Sequence, residues 1–206
     1  MTIGLIMVTA PALEPVSLEE AKLHLRVDDD SPSTNLDDSL IEAVIKASRQ
    51  WAEQFQNRAY ITQTWNLYLD SFPREKYIEI PKPPLQYVVS MTYKDGSGAS
   101  QAVSFLDPSG TALLETDDYL IDIAREPGRL YLKSGKAWPA SLNEAQAVTI
   151  QFVAGYGDAA DVPAMVKQSI LLKVSSLYEN RGDADAPEGY ERAAKCMLWP
   201  ERVVPI

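Results

Sequence analysis

Near residue 60 the hydrophobic period of the chain switches from helical to extended, and near residue 162 it switches back. Upstream of the first switch, Leu40, Ile41, Val44, Ile45, Ala52, Phe55 and Ala59 recur at three- and four-residue spacing, with Thr34 or Asn35 as the cap and Asp37 and Asp38 in the first turn. That spacing predicts a helix over about 36–58. Beyond it, Ile61, Gln63, Trp65, Leu67 and Leu69 alternate with Thr62, Thr64, Asn66, Tyr68 and Asp70, the period of a strand. Further short strands are predicted at Tyr77–Ile80, Val88–Tyr93, Tyr119–Ile123, Arg129–Leu132 and Val148–Val153, set apart by turn signals such as Pro83-Pro84, Asp95-Gly96 and Pro127-Gly128. No helical period intervenes, so the stretch reads as an antiparallel β unit. Asp161-Val162-Pro163 then restarts a helix with Val166, Ile170, Leu171, Val174, Leu177 and Tyr178 as its apolar stripe. An acidic loop (Asp183, Asp185, Glu188) and a short helical stretch at Tyr190–Leu198 lead into Trp199-Pro200 and an apolar tail.

Before the first long helix, Ser17-Leu18-Glu19-Glu20 forms a capping box and predicts a short helix from Leu18 to about Arg26, ended by Asp28-Asp29-Asp30-Ser31-Pro32. Leu5–Val8 followed by Ala10-Pro11-Ala12 imitates a signal peptide, but no Lys or Arg precedes the apolar part and a proline fills the middle of the A-x-A. Residues 1–14 therefore read as an extended arm. The order is helix, helix, strands, helix, helix, an α+β chain. Two helices in a segment of about 55 residues bury little area, so the economical solution packs both ends together. Residues 1–59 and 156–206 are expected to form one discontinuous helical bundle, with Ile41, Val44, Ile45 and Phe55 set against Val166, Ile170, Val174 and Leu177. Residues 60–155 are expected to form an inserted antiparallel β domain.

Composition narrows the function classes. Nineteen Lys and Arg against 29 Asp and Glu give a net charge of −10, which argues against a surface built to neutralise phosphates. The apolar runs stay well short of the ~18 residues of a membrane span. A single cysteine, Cys196, forms no intramolecular disulfide, and a single histidine, His24, leaves no pair for a zinc site.

The catalytic signals are weak. Gly155-Tyr156-Gly157-Asp158-Ala159-Ala160 follows a strand and precedes a helix, with Glu179 about twenty residues on, as in a dinucleotide fingerprint. Asp158 and Asp161 would set carboxylates beside a pyrophosphate, however, Pro163 removes an amide donor, and no βαβ unit surrounds the motif. It reads as a glycine corner leaving the sheet. His24 and Cys196 have no local triad or activating partner and read as packing residues. Asp28–Asp30 and Asp117-Asp118 lack an EF-hand pattern and read as solvated loops. The expectation is no catalytic residue, no metal and no cofactor. Trp199 stands apart among the aromatics, since it lies near a terminus between Leu198 and Pro200 and is followed by Arg202, Val203, Val204 and Ile206. Such a terminus suits burial by a partner or docking on its own bundle.

Several patterns coincide in a further way. Pro15-Val16-Ser17-Leu18-Glu19-Glu20-Ala21-Lys22-Leu23-His24-Leu25-Arg26-Val27, Asn57-Arg58 before Gln63-Thr64-Trp65, and Pro81–Leu85 before a strand occur in this order. Trp138-Pro139, the Phe152–Gly157 corner, Val162-Pro163 and Leu177-Tyr178-Glu179-Asn180-Arg181 follow. Together they resemble the head-to-tail connector, or head-completion adaptor, proteins of tailed phages and prophages, in the subgroup with a β insertion. The resemblance spans about residues 15–181 and implies a structural virion protein without enzymatic activity. It implies a dodecameric ring that binds beneath the portal protein after DNA packaging, extends the DNA channel and presents a docking surface to a neck or tail protein. DNA would be a partner only in non-specific transit, no membrane would be involved, and the place would be the virion neck after synthesis in the host cytoplasm. Met197, Leu198 and Arg202 correspond to a leucine pair and an arginine of family tails, with Cys196 and Trp199 as departures. Trp199, Arg202, Val203, Val204 and Ile206 are accordingly assigned to portal or partner binding, on a tail expected to be loose in the free subunit. Two alternatives remain: a carbohydrate-binding or hydrolytic prophage protein using Trp138 and nearby tyrosines on the β domain, and a tail-completion protein.

Overall fold

The computed structural model describes residues 3–27, 37–180 and 189–204; Asp28–Asp30, Thr34, Asn35, the acidic loop and Ile206 lie outside them. The chain divides into two compact units, Ala12–Ile61 with Gly157–Ile206, and Met1–Pro11 with Thr62–Tyr156.

The first unit is helical. Its elements are α1 (Leu18–Leu25), α2 (Asp38–Gln56), α3 (Ala164–Glu179) and α4 (Gly189–Leu198), with single 3-10 turns at Ala159–Asp161 and Trp199–Glu201. Ser17 and Glu20 make both bonds of the capping box that starts α1, at 3.1 and 2.8 Å. α2 stops where Asn57 enters the left-handed region at φ 56. α2 packs against α3, and α3 against α4. Ile41, Ile45 and Ala52 of α2, Val166, Ile170 and Val174 of α3, and Ala194 and Leu198 of α4 are buried. Val44 and Phe55 are half-buried. Leu177, assigned to the core from the apolar stripe, instead lies 36% exposed. It sits in the last turn of α3, beside the start of α2, where Tyr178 Oη donates to Asp37 at 2.8 Å.

Polar side chains share the buried face of α2. Arg49 donates to Glu14 at 2.6 Å and to Glu53 at 2.6 Å. Burial alone would lower the Arg49 pKa, but its bonds and ion pairs with Glu14 and Glu53 outweigh that and raise it. The charge stays on because the two carboxylates compensate it; unpaired, an ion at this depth would cost several kcal/mol, on the order of 3–5.

The second unit holds two antiparallel sheets, one ordered β1-β2-β8-β4-β5 and one β3-β7-β6. The strands are β1 (Ile3–Thr9), β2 (Gln63–Leu69), β3 (Tyr77–Ile80), β4 (Leu85–Lys94), β5 (Ser100–Ser104), β6 (Tyr119–Asp122), β7 (Gly128–Leu132) and β8 (Val148–Ala154). Register lines up Leu5, Leu67, Ile150, Met91 and Val103 in one row across all five strands of the larger sheet. Leu67, Ile150 and Met91 in that row are fully buried, so this is the core face. Residues 1–11, grouped with the helices by sequence, belong with the sheet instead, because β1 hydrogen-bonds along β2. The boundaries accordingly fall at residues 11/12, 61/62 and 156/157.

Trp138 stacks with Phe72 at 5.1 Å and with Tyr119 at 5.8 Å, and its indole N–H donates to the Glu75 carbonyl at 2.8 Å. An indole committed in this way makes a poor sugar platform, which weakens the carbohydrate alternative.

Candidate partner-binding site

A helix leaves its last carbonyls without partners, and α2 ends in the interior of the helical unit. The C-terminal segment supplies the missing donors. Arg202 Nε donates to the Phe55 carbonyl at 3.0 Å, and the Val203 amide donates to the Gln56 carbonyl at 2.9 Å. The last residue of the helix and the two that follow it reach back in turn. Gln56 Nε2 donates to the Leu198 carbonyl at 2.6 Å, Asn57 Nδ2 to Val203 at 2.8 Å, and Arg58 Nε to Glu201 at 2.6 Å. Gln56 is itself fixed by the Tyr60 hydroxyl, which donates to its Oε1 at 2.7 Å.

The tail is therefore docked by its backbone, which corrects the expectation of a loose segment: Arg58, Asn57 and the open carbonyls of α2 make a polar seat that composition did not reveal. Two of the tail's apolar side chains stay largely open to solvent. Trp199 is 63% exposed and Val204 68%, while Val203 is half-buried and Arg202 exposed. Ile206 lies outside the described residues.

Trp199 continues an aromatic run begun on α2. Trp51 and Phe55, one helical turn apart, stack at 6.1 Å, and Phe55 meets Trp199 at 6.2 Å. The Arg202 guanidinium lies 5.1 Å from the Phe55 ring centre and 5.4 Å from that of Trp199, and Lys173 Nζ lies 5.1 Å from Trp51. Trp199 also forms one wall of an open depression of about 440 Å³ shared with Glu191, Arg192, Lys195 and Cys196.

α4, which carries this wall, is held by small buried residues and by charge. Ser169 Oγ donates to the Ala194 carbonyl at 3.2 Å, and Glu191 bridges Lys173 of α3 at 2.8 Å and Lys195 of its own helix at 2.7 Å. Hydrogen bonds from Lys173 and Lys195 pull the Glu191 carboxyl down to about 2. From Gly189 to Val204 there are three basic side chains, Arg192, Lys195 and Arg202, against two acidic ones, Glu191 and Glu201, in a chain whose net charge is −10. The surface is locally apolar, aromatic and mildly basic.

The other motifs do not build a site. Asp161 Oδ2 accepts the Asp158 amide at 2.9 Å and crowds Gly157, whose φ is +131 and whose absent Cβ would stand 2.5 Å from that oxygen. A carboxylate thus takes the place a phosphate would need. His24 lies half-buried in the last turn of α1 and Cys196 exposed on α4. Asp118 is paired with Lys136 at 2.5 Å. Among the described residues no group of three or more His, Cys, Asp or Glu is placed to hold a metal, and no helix is long and apolar enough to cross a membrane.

Residues 15–96 match the phage gp6-like head-tail connector protein family. The connector match covers α1, α2 and the chain as far as the end of β4. No curated protein matches the sequence. Solved structures extend the likeness to nearly the whole chain. A chain from the neck of an empty gene transfer agent (GTA) particle computed with C6 symmetry aligns at TM-score 0.77 and 20% identity, covering 98% of this chain and 97% of that one. One from the virion of the native particle aligns at 0.74 and 20%, covering 98% and 96%. One from the native neck computed with C12 symmetry aligns at 0.68 and 18%, covering 98% and 97%. At such identity the shared property is the α+β fold.

Proposed function

We propose that this chain is a structural subunit of the neck of a phage-like particle, a head-to-tail connector that assembles into a ring, twelve-fold in the virion. It binds the portal after DNA packaging, extends the DNA channel and offers a docking surface to the next neck or tail protein. It performs no catalytic step and needs no cofactor. Support comes from the connector-family match over residues 15–96 and from a fold shared with chains of particle necks solved with C6 and C12 symmetry. The net charge of −10 suits a channel that passes DNA without gripping it. In this reading the protein is made in the bacterial host cytoplasm and ends in the virion neck.

The single observation that carries the portal-binding role is the C-terminal segment, anchored by its backbone while Trp199 and Val204 remain exposed. A pre-ordered aromatic anchor with an adjacent arginine suits an interface hot spot, since little ordering entropy remains to be lost on binding. The variant Trp199→Ala with Val204→Ser keeps every backbone bond of the seat. It is expected to leave thermal melting within about 2 °C, as surface changes usually do. It is expected to weaken binding to purified portal at least ~30-fold, the equivalent of a hot-spot loss of about 2 kcal/mol. Unchanged portal affinity would move the contact elsewhere, α1 being the next place to look.

A further inference from the structure

β1 has the composition of a strand covered on both faces, yet it stands at the edge of its sheet. Ile3-Gly4-Leu5-Ile6-Met7-Val8-Thr9 is almost continuously apolar, the pattern of strands buried within a sheet, whereas its neighbour β2 alternates. Leu5 and Met7 lie on the core face, opposite Leu67 and Trp65, and Ile6 lies on the other face, opposite Asn66. Ile6 is 55% exposed, Met7 38% and Val8 50%. Natural edges are guarded by charges or prolines, and β1 has neither; its one irregularity is the register shift between Met7 and Thr9 at its end.

The opposite edge of the same sheet is equally unguarded. β5 reads Ser100-Gln101-Ala102-Val103-Ser104, without charge or proline, and all but Val103 are exposed. Each of the five strands is antiparallel to its neighbour, so β1 and β5 run in the same direction. Copies related by rotation about an axis along the strands bring β1 of one beside β5 of the next, in parallel. Extending the existing rows then sets Val103 beside Leu5 on the core face and, on the other, Ser104 beside Ile6, with Ala102 beside Gly4 as the diagonal neighbour of Ile6. Pairing two β1 strands about a two-fold axis would close a dimer, whereas pairing β1 with β5 is heterologous and can close a ring.

We infer that the β1 edge of one copy of this chain docks on the β5 edge of the next, so that the five-stranded sheets join between subunits. The inference rests on the ring proposed above. It is tested by sedimentation of the full chain at rising concentration, alone and with portal, for wild type, Ile6→Lys, Ala102→Lys and Ile6→Lys with Ala102→Glu. Wild type is expected at ring mass. Each single lysine variant is expected to melt like wild type yet remain monomeric under the same conditions, and the lysine–glutamate pair to recover assembly. If wild type assembles and either lysine variant assembles equally well, the edge pairing is wrong and the ring stands. If Ile6→Lys is monomeric as wild type also is in every condition, the ring itself falls and the edge contact with it.

Discussion

Replacing Arg49 by alanine would leave Glu14 and Glu53 facing each other across the space the guanidinium now fills. Glu53 is nearly buried and also accepts the Tyr60 amide at 2.9 Å, so it has little water to turn to. Breaking a buried pair from one side costs about 3–5 kcal/mol, and urea unfolding of Arg49→Ala is expected to show a loss of that order. Arg49→Lys should recover only part of it, because one ammonium cannot reproduce the two-sided fork. Little of this was legible in the sequence. Arg49, Glu53 and Gln56 lie outside the apolar spacing that marks α2, and the half-buried partner Glu14 lies 35 positions from Arg49. At the Gly155–Ala160 corner the sequence shows carboxylates beside a helix start, which oppose an anion on elementary electrostatics. Calorimetry with NAD, ATP and GTP at millimolar concentration is expected to give no heat of binding, and a micromolar dissociation constant would overturn that reading.

Elements with a strong period were readable to within a few residues, as α2, β3 and β8 show. The two missed strands are the two sheet edges. β5 is short and polar and carries no alternation, and β1 looked like an arm because an apolar run without a period gives no partner. The seat of the C-terminal segment was hidden for another reason: it is made by backbone carbonyls at a helix end, which every sequence possesses. Deleting residues 199–206 removes several of those bonds, each worth about 1 kcal/mol net, and melting is expected to fall by several degrees. Unchanged melting would mean that water serves the end of α2 equally well. The joint between α3 and α4 should be sensitive to acid. Glu191 has its pKa lowered from 4.5 to about 2 in the folded protein, so its contribution is complete above 4.5 and is lost as pH falls towards 2. The group is partly exposed and the effect correspondingly small. Glu191→Gln should narrow the stability gap between pH 5 and pH 2, and added salt should weaken the wild-type dependence.

At the scale of the whole molecule, the helix–strand–helix order was legible because the period changes twice, while the path of the first eleven residues was not, since pairing across some sixty positions leaves no local mark. Charge makes a prediction about assembly that no single contact makes. Each copy carries −10, so bringing copies together in the proposed ring works against mutual repulsion. Raising salt from about 20 to 200 mM is expected to shift sedimentation towards the assembled form; a shift towards monomer would mean that ion pairs, and not apolar contacts, hold the interface. The chain passes between its two units at residues 11/12, 61/62 and 156/157, and this has a consequence during synthesis. When α2 leaves the ribosome, α3 is still about a hundred residues from being made, which at 5–20 residues per second is some 5–20 s. Throughout that interval the nascent chain displays Ile41, Ile45 and Ala52 without α3 to cover them, while the strands downstream can already pair with β1. The helices after residue 157 thus complete a unit begun before residue 61, and a ribosome-associated chaperone would have its longest engagement with α2.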